Sequence, residues 1–468
     1  MFADYRLANS IADLFRHIPP DAITNLYEQV REAAKLRGMD YEEEDGGLRI
    51  INLFLRPRLI DEAQRDYFYK VCMQMNSAFD KLFVLRNQRP ELRDILPLPA
   101  EEQKWFDLVN TNRDIPLTNF SRWDANADFS GLNWKGQFHF FEVNGVGVGG
   151  IHYSPVVESI VYDIVLPQLQ KVDPDLVLEK NDDARDLLLG QLAVLAKAIG
   201  RSKPHLGFLV DMRCVGGPNE FPKLAQYAKN KGFEAVCCDP RDLYLKKGEI
   251  YHQNFRIDLL YRDTTLSEFI EMERDGEDLD ALRGGFTNHQ IVSSLGGELD
   301  HKSCFEIFSS PQYHRWFTPA QRRFFKRHVL WTRLMQETYT SDHKENKVDL
   351  VKYVRLRQNR LMLKPNRGFG GEGILVGEKT TRKDWHKAIQ RALTEKGEWV
   401  VQRKVNVHSK KFPLLSDSGK LREDKLNVVC GFIATPLGLA ILGRASRGQI
   451  VNVARGGGMT AILSCMNR

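Results

Sequence analysis

The chain has 468 residues, 42% hydrophobic and 27% charged, with a net charge of +6; this is an ordinary globular balance, and its basic excess is too slight to imply a nucleic acid or another polyanion as partner. No apolar run approaches the ~20 residues that cross a bilayer. The start, MFADYRLANSIADLFRHIPP, carries Asp4 and Asp13 and reads as neither leader nor anchor. Seven cysteines, single except for the adjacent Cys237 and Cys238, form no C-x-x-C pair and no disulfide framework, so a reducing cytoplasm is the expected location.

Taken in chain order, residues 1–115 predict a mainly helical region with a polar connection at MDYEEEDGGLR. Residues 116–200 begin with strands, from FSRWDANADF through QFHFFEVNG. A helix then starts near Pro155, and DDARDLLLGQLAVLAKAIG gives a second, with acidic residues for its cap and Gly200 at its end. Between 201 and 310 the strands HLGFLV, EAVCCD and FRIDLLYRD alternate with the helix EFPKLAQYAKNKGF, which implies a βαβ unit on a parallel sheet. The run QRRFFKRHVLW reads as an amphipathic helix burying Phe324, Phe325 and Leu330, or as a basic, aromatic nucleic-acid patch. Residues 311–468 add NRLMLKPNRGFGGEGILVG and WVVQRKV as strands around the helix TRKDWHKAIQRALTEKG, then a strand-rich close. The fold class is α/β, in several pieces.

Three stretches carry chemistry. In LMLKPNRGFGGEGIL a strand runs into Lys364, and Gly368, Gly370, Gly371 and Gly373 follow in a loop. Glycines let successive N–H groups approach phosphate oxygens, and the lysine adds a compact positive charge. No G-K-[ST] closes the loop, so it is not a Walker A motif; a flexible hairpin turn is the plain alternative. In WVVQRKV, Gln402 and Val405 could contact a base, or simply belong to the core. In FHFFEVNGVGVGG, Glu142 and Asn144 share one strand face, and upstream Arg122 and Asp124 have the same spacing. Asp124, Glu142 and Asn144 form an all-oxygen set suited to Mg²⁺, and Arg122 could neutralise a phosphoryl group. The same stretch also spells G-x-G-x-x-G at Gly145, Gly147 and Gly150, the turn of an NAD(P)-dependent oxidoreductase, although no second strand ending in an acidic residue follows about 20 residues on.

Together these residues resemble the ATP-grasp carboxylate–amine ligases. The metal pattern R-x-D…E-x-N precedes the Lys-Pro and glycine loop instead of following them, so the chain is similar to the circularly permuted, glutathionylspermidine synthetase-like branch. GFEAVCCDPRDLYLKKGEIYHQNFRIDLLYRD resembles its pre-ATP-grasp domain, and GLAILGRASRGQIVNVARGGGM its closing arginine strand and glycine loop. The resemblance covers roughly residues 120–459 and departs from the pattern at Gln402, where glutamate is usual, and after the closing glycines. It implies a permuted ATP-grasp core around a pre-ATP-grasp domain at 201–310, ATP and Mg²⁺ as cofactors, and a small-molecule acid and amine as substrates. Asp124, Glu142 and Asn144 would hold the metal, and Lys364, the glycine loop and Lys302 the phosphates. Arg122 and Arg444 would stabilise the transferred phosphoryl, and Gly457 would face the acceptor; Arg262, at the end of a middle-domain strand, could bind the acceptor carboxylate or form a structural salt bridge to Asp258 or Asp263. Neither the identity of acid and amine nor the oligomeric state follows. A catalytically idle nucleotide-binding relative is the further alternative.

Overall fold

The computed structural model describes residues 11–43, 45–109, 115–214, 216–368, 370–415, 421–448, 451, 453 and 456–465. The first ten residues lie outside them, as do Gln449, Ile450, Asn452, Ala454 and Arg455 of the closing segment. No helix among the described residues is long and apolar enough to cross a membrane.

Helix α1 (Pro20–Leu36) leads into MDYEEEDGGLR. That stretch is a short hairpin and not a plain connection: Tyr41 lies opposite Arg49, and the Asp45 side chain accepts the Gly47 amide at 2.9 Å to fix the turn. Strand β1 (Asn52–Asp61) follows, then helix α2 (Glu62–Phe79), whose start is a capping box between Asp61 and Gln64. The helical N-terminal region therefore also lends a ten-residue, largely buried strand to the rest of the molecule.

Strands β2 (Arg122–Asn126) and β3 (His139–Asn144) come next, then helices α3 (Tyr153–Ile160) and α4 (Ala184–Ala198). The Asp183 carboxylate caps α4 by accepting the Arg185 amide. The middle segment gives β4 (Leu206–Leu209), α5 (Phe221–Asn230), β5 (Ala235–Cys238), β6 (Leu259–Arg262), α6 (Leu266–Arg274) and β7 (Ile291–Val292). Its four strands lie parallel in the order β7-β6-β4-β5, as the alternating pattern predicts. Helix α7 (Pro319–His328) buries Phe325, half-buries Phe324 and exposes Arg322, Arg323, Lys326 and Arg327 to water, the amphipathic reading of that basic run.

A second small sheet holds β8 (Thr332–Leu334), β9 (Leu361–Pro365), β10 (Leu375–Val376) and β11 (Trp399–Arg403), in the order β8-β11-β9-β10, with α8 (Arg382–Thr394) packed on it. The chain ends in β12 (Leu421–Thr435), β13 (Gly438–Ser446) and β14 (Gly458–Cys465). These join the early strands in one large sheet, β1-β14-β13-β12-β2-β3. Its inner face packs aromatic against aromatic: the rings of Phe68 and Phe138, and of Phe138 and Phe140, lie 4.8 Å apart edge to face.

Candidate functional site

Register places the acidic stretch. In the β2–β3 pair Arg122 lies opposite Asn144 and Asp124 opposite Glu142, so the two motifs read from the sequence share one sheet face. The face opens into a cavity of about 980 Å³. Lys364 and Gln402 from the second small sheet line it, with Gly368, Gly370 and Gly371, Val405, Lys302, and Arg444 on β13. Segments more than 300 residues apart in sequence thus meet around one space.

Asp124 is the electrostatic centre of one wall. Its carboxylate is 1% exposed. It takes two bonds from Arg122, at 2.8 and 3.0 Å, one from Arg444 at 2.8 Å, and the Asn144 amide at 3.3 Å. Burial alone would favour its protonated form; the two guanidinium groups outweigh this and hold the carboxyl down at about 2. The opposed glycine on β12, Gly431, makes room for the pair, since a Cβ there would lie 2.6 Å from the Arg122 side chain and 2.9 Å from the Asp124 carboxylate. A glycine inside the apolar run VVCGFIAT is the sequence signal that could have pointed to it.

These contacts change the parts assigned from sequence. Asp124, expected as a metal ligand, spends its oxygens on arginines. Arg122 donates its remaining nitrogen, Nη1, to the Gly149 carbonyl at 2.5 Å. Arg444 is freer: it lines the cavity, and its buried Nε has no partner. Glu142 and Asn144 are only partly buried and keep oxygens toward the cavity. Among the described residues no group of three His, Cys, Asp or Glu side chains could hold a metal ion alone. A carboxylate with an amide oxygen still fits Mg²⁺, which retains waters and shares phosphate oxygens.

The opposite wall is basic. Lys302 lies 3.1 Å from Glu142 and donates to the Gly368 carbonyl, tying the acidic strand to the glycine loop. In that loop Gly370 and Gly371 have φ of 66° and 78°, a region where a side chain would be strained. Gly373 is packed against Pro365 and does not reach the wall. The Lys364 ammonium donates to Gln402 Oε1 at 2.7 Å and sits 5.4 Å over the Phe141 ring. Burial lowers its pKa to about 8, against the pull of Glu142. Gln402 also donates to Thr332 and to the Phe141 carbonyl, so its side chain is committed inward. Contact with a base from this segment would come from the main chain near Val405.

Two expectations fail. Arg262, expected to bind an acceptor carboxylate, is 0% exposed. It donates to Glu298, to the Ser293 and Ser294 carbonyls and to the Thr264 carbonyl, so the buried guanidinium is committed to the protein. Gly457 is buried just before β14, and Val451, Val453 and Met459 reach the cavity in its place.

The dinucleotide turn fails too. β3 is the edge of an antiparallel ladder, whereas that turn belongs between parallel strands. The amides it would offer to a pyrophosphate are already taken: Gly145 donates to Asp300 at 2.8 Å, and Gly150 and His152 donate to Glu220 at 2.5 and 2.7 Å. Sequence reasoning missed both carboxylates, which lie 155 and 70 residues from their partners.

Burial raises the Asp300 carboxyl to about 7 and that of Glu158, which accepts from Asn181, to about 8. A carboxyl raised in the folded state contributes stability that is complete below the unfolded pKa and is lost as pH climbs through the folded value. Melting temperature is therefore expected to fall between about pH 5 and pH 8. The depressed Asp124 acts only below that window. A scan of Asp300→Asn, which keeps an acceptor for Gly145, should show a flatter profile; an unchanged slope would remove Asp300 as its source.

No protein-family model matches the sequence, and no curated protein matches it. Among solved structures, a glutathione synthetase-like effector from Globodera pallida, in its apo form, aligns with a TM-score of 0.64 over 95% of this chain and 97% of that one, at 10% identity. A putative gamma-glutamylcysteine synthetase from Methylobacillus flagellatus gives a TM-score of 0.35 over 82% and 85%, at 12% identity. D-alanyl-alanine synthetase A from Vibrio cholerae gives 0.25 over 51% and 88%, at 10% identity. The first likeness shows the fold: a mixed α/β architecture shared with that glutathione synthetase-like protein, in agreement with the α/β class read from the sequence.

Proposed function

We propose that the chain is an ATP- and Mg²⁺-dependent carboxylate–amine ligase with a permuted ATP-grasp core. The observation that carries this reading is the cavity itself. Two lysines and a glycine loop line, with a carboxylate–amide pair, a space wide enough for a nucleotide, and Asp124 holds a pair of arginines at its edge. The reaction written for such a site begins with attack of the acid's carboxylate on the γ-phosphorus of ATP, giving an acyl phosphate and ADP. The amine nitrogen then attacks the acyl carbon and phosphate leaves.

Each residue has a task in that scheme. Lys364 and Lys302 bind phosphate oxygens, and Lys302 gives up Glu142 and Gly368 as it does so. The amides of the glycine loop cover the phosphates and exclude water that would hydrolyse the acyl phosphate. Arg444, with a donor to spare, meets the transferred phosphoryl, and Arg122 is held rigid beside it by Asp124. Glu142 and Asn144 would hold Mg²⁺, which when bound neutralises charge on the β- and γ-phosphates.

A thermal-shift titration with ATP, ADP, NAD⁺ and NADP⁺, each with and without Mg²⁺, tests the reading. ATP at about 100 times its Kd should stabilise the fold by about 2.7 kcal/mol, and the shift should need Mg²⁺. Stabilisation by NAD⁺ or NADP⁺ alone would overturn it. ATP-dependent stabilisation without ADP release from any acid–amine pair would favour the idle nucleotide-binding alternative. Glu142→Gln is expected to keep the fold and lower Mg·ATP-dependent turnover by about 100-fold or more; turnover at the native level would remove Glu142 from the metal site.

A further inference from the structure

The end of the cavity away from the lysines is acidic. Asp263 stands there, one residue beyond the C-terminal end of β6, the place where ligands meet an open parallel sheet. Glu220 and Glu268 line the same end. Glu220 is committed to the amides of Gly150 and His152, and Glu268 caps α6 through Thr265. Asp263 differs from both: its carboxylate makes no hydrogen bond or ion pair with another described residue. Gly147 packs against it, since a Cβ there would lie 3.2 Å from Asp263 Oδ1. A second orphan lies behind it. The Tyr261 hydroxyl is buried without a partner, within electrostatic reach of Asp263 and Glu220, its ring stacked on Phe221 at 5.4 Å. Arg122 reaches Glu220 and Tyr261, but only like charges act on Asp263, which leaves beside it a place that a cation would complete.

Resting on the ligase reading above, we propose that Asp263 receives the amine acceptor: its carboxylate pairs with the incoming alkylammonium and takes the proton that must leave before the nitrogen can attack. The turn Gly147–Gly150 links this end to the arginine pair, since Arg122 holds the Gly149 carbonyl. An amine seated at Asp263 is thus one turn of chain from the acyl phosphate. Transfer of one proton to Asp263 leaves a neutral nitrogen whose lone pair forms the C–N bond. The C–O bond to phosphate breaks, and the second nitrogen proton leaves with the phosphate. The surroundings favour an acceptor with no carboxylate beside its amine, because Arg262, the cation that could have met one, faces inward.

The environment also suits proton transfer. Burial, then the like charges of Glu268 and Glu220, raise Asp263 to about 7. The other titratable groups beside it are Tyr261 on the adjoining strand, on which Arg122 and Arg262 act, and Cys214 in the loop after β4. Pairing with an ammonium needs the ionised carboxylate, so amine binding should strengthen as pH rises through about 7.

The test is calorimetric titration of n-butylamine, with butyrate as the isosteric anion, into the wild-type protein, Asp263→Asn and Asp263→Glu, all with ADP and Mg²⁺ present. Asparagine relieves like-charge repulsion, so that variant is expected to fold, and its Mg·ATP thermal shift checks this. Butylamine should bind the wild type with the stated pH dependence and butyrate should not. Asp263→Asn should weaken butylamine by about tenfold or more and abolish the pH dependence, and Asp263→Glu should recover part of both. Equal binding in wild type and Asp263→Asn, preference for butyrate, or no butylamine binding by a protein that Mg·ATP stabilises would overturn the proposal. Asp263-dependent butylamine binding without any Mg·ATP shift would keep the cation site and sink the ligase reading.

Discussion

Asp124→Ala is expected to lower the free energy of unfolding by about 3–5 kcal/mol, the cost of removing one partner from a buried, hydrogen-bonded ion pair. The mutation leaves two guanidinium groups facing each other beside the cavity, one nearly buried, with the carboxylate that balanced them gone. Asparagine should recover only part of the loss, because its amide can accept from one arginine while turning a donor toward the other. A purely metal-ligating Asp124 predicts the opposite pattern: unchanged stability of the metal-free protein and loss only of the Mg²⁺-dependent shift. Urea unfolding of wild type, Asp124→Ala and Asp124→Asn, each with and without Mg²⁺, separates the two. A loss below about 1 kcal/mol would put the pair with weak surface bridges.

Arg262→Ala should be comparably damaging, by about 3–5 kcal/mol, and for a reason unrelated to substrate. It strips Glu298, itself 4% exposed, of its charge partner and takes the Arg262 donor from the Ser293 and Thr264 carbonyls, while Ser294 keeps only the Gly297 amide. Lysine should not rescue it, since one ammonium cannot reproduce the planar fork that reaches Ser293, Ser294, Thr264 and Glu298 together. Chemical denaturation measures the loss directly. A variant that melts normally yet needs far more acceptor for half-maximal turnover would return Arg262 to the substrate site.

Where sequence foretold structure, the signal was local. Spacing of two along a strand put Arg122 with Asp124 and Glu142 with Asn144. The glycine loop announced itself by composition, and the alternation of strands and helix between 201 and 310 gave the parallel sheet. What could not be read was which distant group each of these would meet. Nothing in the spelling of G-V-G-V-G-G says that its amides are taken by Asp300 and Glu220. Nothing beside Arg262 says that Glu298 will hold it. An oxygen donor also looks the same on paper whether its neighbour is to be a metal ion or a guanidinium, and spacing alone did not show that Asp124 would meet two arginines. The hairpin at MDYEEEDGGLR is a milder case: its charge suggested a plain connection, yet the Asp45–Gly47 turn was written in it.

The interleaving of the large sheet bears on how the molecule comes into being. Strands β2 and β3 leave the ribosome long before β12, the neighbour that completes the β2 ladder, and before Arg444, which closes on Asp124 from 320 residues away. Until then the arginine–aspartate pair has half its partners, and the apolar face of β2 has no strand on one side. Such long-range closure makes folding slow and leaves an unfinished chain with an exposed edge that invites aggregation. The same arrangement acts as a safeguard: a polypeptide that stops before residue 421 has the glycine loop and the acidic strand but lacks the β12–β13 wall, so the cavity closes only once those strands are in place.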